Sequence, residues 1–293
     1  MVHLVIGANG RVGQHAVAEL LAAHQPVRAF VRDVEAARQR FGDTVQVVQG
    51  DLNDPASLTG VMDEVGSILL CAPVSPDQVR QQNGVIDAAA AVGLNPKVVK
   101  VSGLATFADS FVDSGRWHAQ TEAYLQTSGL PYTCLHPYFF MQNLGFQIAE
   151  VKKTGKLKSA VTQPVAMVDA RDIAAVAARV MLTPELAQGQ TLPLTCEQAM
   201  TYADMAAVMS EVFEQHVEFE LQTMAEVEER LAASGQPDWH VQLLLQFNRA
   251  FDEGYGAKPH PAVEDILGRV PLSLKDYLLS LDAPGAGRNP FPS

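Results

Sequence analysis

The residues best suited to chemistry stand at the very start of the chain. Gly7, Gly10 and Gly13 fill the first, fourth and seventh places of Gly7-Ala8-Asn9-Gly10-Arg11-Val12-Gly13. A glycine in the first place permits a tight exit from a strand. The second lets backbone approach a pyrophosphate, and the third lets a helix pack closely on a sheet. A helix opening behind such a turn presents unpaired N–H groups and a positive dipole end to an anion. Gly7, Asn9, Gly10, Arg11, Val12 and Gly13 are therefore expected to hold the diphosphate of a dinucleotide; the plain alternative is a glycine-rich turn without a ligand. At the end of the next β-branched run, where NAD binders usually carry an acid for the ribose 2′-hydroxyl, the chain reads Val31-Arg32-Asp33. A guanidinium matches a 2′-phosphate in charge and fork geometry, and Arg11 adds a second, so NADP(H) is favoured over NAD(H). Otherwise Arg32 faces solvent and pairs with Asp33. Asp51, with Leu52 beside it, is expected near the adenine, where its carboxylate accepts from the amine or else caps the turn before Pro55.

Further along, His118 and Glu122 lie four residues apart on a helical pattern and share a face. A carboxylate there would hold the imidazole in one tautomer and raise its pKa toward neutrality, unless the two form an ordinary helix-surface pair. Ser102 ends a strand at the carboxyl edge of the expected sheet, where such folds bind ligands. Its hydroxyl is placed to touch the nicotinamide carboxamide or a substrate oxygen; the plain alternative is a strand-end turn with Gly103. Ala72 and Pro73 follow one strand and Pro137 follows another, both shaping the same crevice. Tyr138, Phe139, Phe140, Met141 and Asn143 come directly after. An aromatic cluster at the reactive end of a cofactor suits a flat, apolar acceptor. Phe107, Trp117, Phe247 and Phe251 either join that cluster or, as aromatic stripes more often do, belong to the core.

These residues need a scaffold, and the pattern supplies one. Short apolar runs at Val2–Ile6, Val27–Val31, Val45–Val48, Ser67–Cys71, Val98–Ser102 and Tyr132–His136 alternate with helical patterns at 12–21, 76–92 and 115–128. Continuous apolar strands separated by helices imply an α/β fold, a doubly wound parallel sheet of the Rossmann kind covered on both faces. After about Tyr138 the alternation breaks. Val165–Val168 and Thr191–Leu194 are read as strands around a helix at 172–182, and the rest as mostly helical with a strand at 217–221. The expected organisation is a dinucleotide-binding domain over 1–150, with segments near 165–195 returning to it. A smaller, mostly helical part over 196–282 covers the cleft, and a Gly/Pro-rich tail over 283–293 frays or drapes over the surface. Lys152, Lys153, Lys156 and Lys158 are read as a solvated loop.

Composition narrows the function classes. The 293 residues carry 21 Lys+Arg against 33 Asp+Glu, a formal charge of −12, which repels phosphate backbones and anionic lipid alike. Nucleic acid and membrane are accordingly not expected as partners. Cys71, Cys134 and Cys196 lie far apart and no His-Glu-x-x-His occurs, so no resident metal is expected. The first residues have no secretory pattern and no run reaches membrane-spanning length, which suggests a cytoplasmic protein.

GANGRVGQ, VRAFVRD, QGDLNDPASL, VIDAAAAVG, VVKVSG, WHAQTEAYLQTSGLPYTCLHPYFFMQN and VDARDIAAVA follow one another in an order that resembles the NmrA-like branch of the atypical short-chain dehydrogenases/reductases. That branch includes nitrogen-metabolite regulators, quinone and triphenylmethane-dye reductases, and NADPH sensors. The resemblance runs from the first strand to about Leu182 and more weakly to about Leu281. It implies NADP(H) binding and a cleft over the nicotinamide. Alcohol-oxidising members of the superfamily use Tyr-x-x-x-Lys; Ser114 and His118 stand in those places here, which disfavours alcohol dehydrogenase or sugar-epimerase chemistry. His136 stands where the family usually has Arg before Pro137. The resemblance implies an NADPH-dependent reductase of quinone-like or conjugated aromatic acceptors, with a proton from His118, Tyr138 or water. Its alternative is a non-catalytic NADP(H) sensor acting through a protein partner.

Overall fold

A computed structural model describes residues 1–281, so the tail expected over 283–293 lies outside the described residues. The elements run β1 (Val2–Ile6), α1 (Gly13–Ala22), β2 (Val27–Val31), α2 (Val34–Phe41), β3 (Gln46–Gln49), β4 (Val65–Leu70), α3 (Gln78–Ala91), β5 (Lys97–Val101), α4 (Asp113–Thr127), β6 (Tyr132–Pro137), β7 (Phe139–Phe140), α5 (Gly145–Thr154), β8 (Lys156–Ser159), β9 (Val165–Val168), α6 (Ala170–Leu182), β10 (Thr191–Leu194), β11 (Ala199–Met200), α7 (Tyr202–Phe213), β12 (Glu218–Leu221), α8 (Met224–Ala232), α9 (Asp238–Asp252), α10 (Ala262–Leu267) and α11 (Leu274–Ser280).

Among these residues seven strands form one parallel sheet in the order β10-β6-β5-β4-β1-β2-β3. The chain builds outward from β1 to β3, then returns to the other side of β1 to place β4, β5 and β6. The order therefore reverses between β1 and β4, and the crevice beyond their carboxyl ends is where a doubly wound sheet binds its ligand. One face packs under α1 and α6 around Val5, Val17, Leu69, Val99, Ile173 and Ala177; the other packs under α3 and α4 around Ile6, Ile68, Ile86, Val98 and Leu125. Apolar residues on both faces of β1, β4 and β5 are thus explained by helices on both sides.

The edge strands depart from the expected pattern. β3 begins at Gln46 rather than Val45, and its end residues Gln46 and Gln49 are exposed, because an edge strand is covered less than a central one. β9 does not extend the main sheet: it pairs parallel with β7 and antiparallel with β11. α2, α5, β7, β8 and β11 were not legible as separate elements. The four lysines expected in a solvated loop are built into structure instead. Lys152 and Lys153 close α5, and Lys156 and Lys158 lie on β8 beside β12, where both pair with Glu220 at 2.5 and 3.7 Å.

A third apolar cluster, with Leu104, Met141, Met167, Met205, Met209, Phe251 and Leu278, joins the C-terminal helices to the loops beyond β5 and β6. Two buried carboxylates tie α6 into this arrangement. Asp169 caps α6 by accepting from Arg171 N at 2.8 Å and pairs with the Arg171 guanidinium at 2.7 Å. Asp172, with no exposed surface, accepts from Arg269 Nη2 and from Leu272 N, each at 2.7 Å, and so fixes the approach to α11. No helix among the described residues is long and apolar enough to cross a membrane.

Candidate cofactor crevice and active site

The exits of β1 and β4 nearly touch. Gly7 adopts φ +77°, and a Cβ there would lie 2.0 Å from the Cys71 carbonyl oxygen, so only glycine fits. Gly10 N donates to Gly7 O at 2.8 Å, closing the turn. A Cβ on Gly13 would lie 2.2 Å from the same oxygen, so α1 rests directly on the turn. α1 has no side-chain cap and no acidic residue in its first turn, unlike α2, which Asp33 caps by accepting from Ala36 N at 2.9 Å. Gln14 N and His15 N already donate to Gly10 O and Val12 O, both at 3.1 Å, but no side chain covers the opening of α1 beside the glycine turn, as a diphosphate requires. Asn9 donates to Asp33 O at 3.0 Å, while its buried Oδ1 has no partner among the described residues. The residues present thus fit a dinucleotide: a cradle that a side chain would fill, and an unpaired buried acceptor beside it.

Three guanidinium groups surround this turn. Arg32 is exposed just beyond β2; Asp33 is not its partner, because that carboxylate is the α2 cap. Arg40, unnoticed in the sequence, reaches back from α2 to the Asn9 carbonyl at 3.5 Å and to Gln14 Oε1. Arg11 donates to Asn143 Oδ1 at 2.8 Å and lies 5.5 Å from the Phe146 ring centre, which links the turn to α5. Asp51 Oδ1 accepts from Asn53 N at 2.8 Å and its carbonyl from Asp54 N at 2.9 Å, so Asp51, with Leu52 beside it, closes the turn before Pro55; Asp54 caps the short turn that Pro55 opens. Ala72 and Pro73 follow β4 after Cys71, whose carbonyl meets the glycine turn.

A second polar cluster is buried where β5, β6, α3 and α4 meet. Here the expected pairing of His118 with Glu122 is corrected. His118 Nδ1 lies 2.9 Å from both Lys100 Nζ and Gln78 Nε2. Glu122 instead takes Ser102 Oγ–H and, at 2.8 Å, His136 Nε2. Lys100 Nζ also donates to Ser102 Oγ at 2.6 Å. The reason is position: Glu122 lies a turn beyond His118 toward β6, within reach of His136, while a lysine rising from β5 fills the space beside the imidazole. The electrostatic sign reverses too. Burial, reinforced by the Lys100 and His136 charges, holds the His118 pKa well below the usual histidine value rather than raising it. Burial brings the Lys100 ammonium down to about 8, against the pull of Glu122. Glu122 is held below the usual carboxylate range: burial alone would raise it, but the His136 hydrogen bond and charge, Lys100 and Ser102 together outweigh that.

Lys100 and Gln78 were missed in the sequence. A lysine in an otherwise β-branched run was the available signal, since a charged side chain on a central strand must be buried and must find partners. Ser102 sits where expected, 6% exposed at the end of β5, but its hydroxyl is engaged by Lys100 and Glu122. His136, the departure from the family pattern, is explained by its bond to Glu122.

Several aromatic residues lie beyond β5 and β6 and along α4. Pro137 ends β6, and Tyr138 N donates to Leu194 O at 3.2 Å; Tyr138 is half-buried, and burial raises its phenol pKa. Phe140 pairs β7 with Val168 and packs against the α1–α6 face. Phe107 stacks on Tyr255 with ring centres 6.2 Å apart, and Trp117 lies 6.4 Å from Trp239. Phe251, by contrast, is buried in the third cluster, as a core residue should be. Among the described residues no group of His, Cys, Asp and Glu is arranged to hold a metal ion.

Comparison with known proteins agrees with this geometry. The chain is 31% identical over 269 residues to the NAD(P)H azoreductase of Xenophilus azovorans, covering 92% of this chain and 91% of that one. The structure of the Citrobacter sp. triphenylmethane reductase complexed with NADP(H) superposes with a TM-score of 0.83 at 25% identity, over 95% of this chain and 99% of that one. An NADPH-dependent quinone oxidoreductase from Escherichia coli, complexed with NADPH, shares the fold with a TM-score of 0.86 at 24% identity, over 96% and 99%. The match to the NmrA-like family extends over residues 2–278, which is nearly all of the described chain, and the protein belongs to that family.

Proposed function

We propose that the protein is an NADPH-dependent reductase that passes hydride to a quinone-like or other conjugated aromatic acceptor, in a cytoplasmic setting where its three cysteines stay free. The observation that carries this reading is the convergence at one crevice of an uncapped glycine turn, exposed guanidinium groups and a buried His118–Lys100–Ser102 cluster. The azoreductase and the dye reductase to which the chain is similar support the acceptor class.

In this reading Gly7, Asn9, Gly10, Arg11, Val12 and Gly13 hold the diphosphate, Arg32 the 2′-phosphate, and Asp51 and Leu52 the adenine side. Ala72, Pro73, Ser102, Pro137, Tyr138 and Phe140 line the nicotinamide, and the region over 196–282 covers the acceptor. The bound cofactor supplies the hydride. The chain's own work is to orient, to exclude water and to hold a proton donor at His118, with Tyr138 the second candidate. The lack of a Tyr-x-x-x-Lys pair fits an acceptor that needs no alcohol proton removed: Ser114 is buried at the start of α4, and His118 is engaged with Lys100. Placing reactants in contact supplies much of the rate for such a transfer.

The test is consumption of NADPH by the purified protein against a panel of naphthoquinones, azo dyes and cationic triarylmethane dyes. Turnover of at least one is expected. Tight cofactor binding with no turnover across the panel would overturn the reading.

A further inference from the structure

We propose that Lys100 is a positioning residue that acts through His118, fixing its imidazole as the Nε2–H tautomer and replacing the proton that the imidazole gives to the reduced acceptor. This rests on the reductase reading above. The geometry is specific. An ammonium has only hydrogens to offer, so with Lys100 Nζ at 2.9 Å the His118 Nδ1 must accept. Gln78 Nε2, at 2.9 Å from the same atom, donates in the same sense. The ring proton is therefore on Nε2. The Cδ2 edge of the ring faces Gly103, where a Cβ would come to 4.0 Å, so this side of the imidazole is turned to the end of β5.

An acceptor that takes the hydride's electron pair at one atom of a C=O, conjugated or N=N system is left with negative charge on oxygen or nitrogen. The His118 Nε2–H bond breaks and its proton goes to that atom. In the same event a proton passes from Lys100 Nζ to His118 Nδ1, so the imidazole is never left as an anion and Lys100 becomes a neutral amine. An ammonium brought to about 8 by burial gives up this proton at modest cost. The row Lys100–Ser102–Glu122–His136 leads from the buried amine to an imidazole whose side chain is 15% exposed; once Lys100 is a neutral amine, the Ser102 hydroxyl turns to donate its proton to Nζ and takes another from Glu122, which is reprotonated by His136 Nε2–H, and His136 regains a proton from solvent.

The groups facing Lys100 agree with this cycle. Glu122 and His118 face it from α4, Cys134 from β6 and Cys71 from the end of β4, while Gln78 on α3 and His136 on β6 meet it only through His118 Nδ1 and Glu122. Burial pushes both thiols up to about 12, so Glu122 is the anion that holds the ammonium charged.

Acceptor chemistry provides the test. A quinone needs hydride and a proton, whereas a cationic triarylmethane dye becomes a neutral leuco base on hydride alone. In Lys100→Met, with NADPH affinity by fluorescence titration as the check on folding, kcat for a naphthoquinone should fall about 100-fold, and its alkaline limb near the Lys100 pKa should vanish. The dye should lose less than about threefold, within the scatter expected of a proton-independent step. An equal loss on both acceptors, or on neither, overturns the proposal. An independent readout uses ring-labelled histidine in the cofactor-free protein. The 15N spectrum should show His118 protonated at Nε2 only, with that preference lost in Lys100→Met; a proton on Nδ1 in the wild type overturns the proposal even where turnover is seen. Wild-type protein that reduces neither acceptor overturns the reductase reading instead, while the tautomer measurement still decides the role of Lys100 toward His118.

Discussion

Arg32 shows what a single side chain can decide. It stands exposed beyond β2, where an acid would select the unphosphorylated ribose, and Asp33 beside it is committed to capping α2. A charge-assisted contact with a phosphate contributes roughly 1.5–3 kcal/mol, so Arg32→Ala should weaken NADPH about 10- to 100-fold while leaving NADH almost unchanged. Parallel binding titrations check it; equal effects on both cofactors would move the selectivity to Arg40 or Arg11. This level was partly legible in the sequence. Glycine spacing exposes a turn because no other residue tolerates φ +77° against a carbonyl at 2.0 Å. The partner of His118 was not legible, because helical spacing names the neighbours on the same helix and is silent about what rises from the strand beneath. Lys100 and Gln78 come from β5 and α3, and only tertiary packing brings them to one imidazole.

Elements are held in place by a few buried polar contacts as well as by apolar packing. Asp172 is the clearest case: from inside α6 it satisfies the Leu272 N–H and the Arg269 guanidinium, across about a hundred residues of chain. Asp172→Ala leaves both without their acceptor and should lower unfolding stability by about 2 kcal/mol, read as a shifted midpoint in chemical denaturation. A midpoint unchanged within error would mean that packing alone fixes α11. At this scale the central strands were readable, since β1, β2, β4, β5 and β6 are predominantly apolar runs, broken only by single residues such as Arg28, Lys100 and His136. The short pairs β7 and β11 were not: two residues carry no periodicity. Lys156 and Lys158 resembled a loop because β8 is an exposed two-strand pairing whose charges face Glu220.

The molecule as a whole carries buried imidazoles whose pKa values lie below the free value of 6.5. For His118 and His3 burial is the leading cause, and His3 also bonds Ser67 at 2.7 Å. A base whose folded pKa is depressed takes up its proton preferentially in the unfolded chain. Its stabilising effect is present above pH 6.5 and is lost as pH falls below it. Each such histidine costs up to about 1.4 kcal/mol per pH unit over that range. The melting temperature should therefore drop between about pH 7 and about pH 5, and His118→Gln should flatten the slope. A melting temperature that holds or rises on acidification would contradict the burial described for these groups. The doubly wound class was legible because alternation of strand and helix has few solutions once crossovers are right-handed. The place where the C-terminal helices join the fold was not, since Leu104, Met141 and Phe251 share a cluster that no local pattern announces.

All three scales depend on one claim, that the crevice between β1 and β4 receives NADP(H) on the amides of the glycine turn. Calorimetric titration of NADPH into the wild-type protein and into Gly13→Val tests it most directly, with circular dichroism confirming that both are folded. The wild type should bind one equivalent. The variant, whose new side chain would push α1 off the Gly7 carbonyl, should bind at least about tenfold more weakly. Binding of equal strength by both proteins, or no binding by the wild type, would contradict the account.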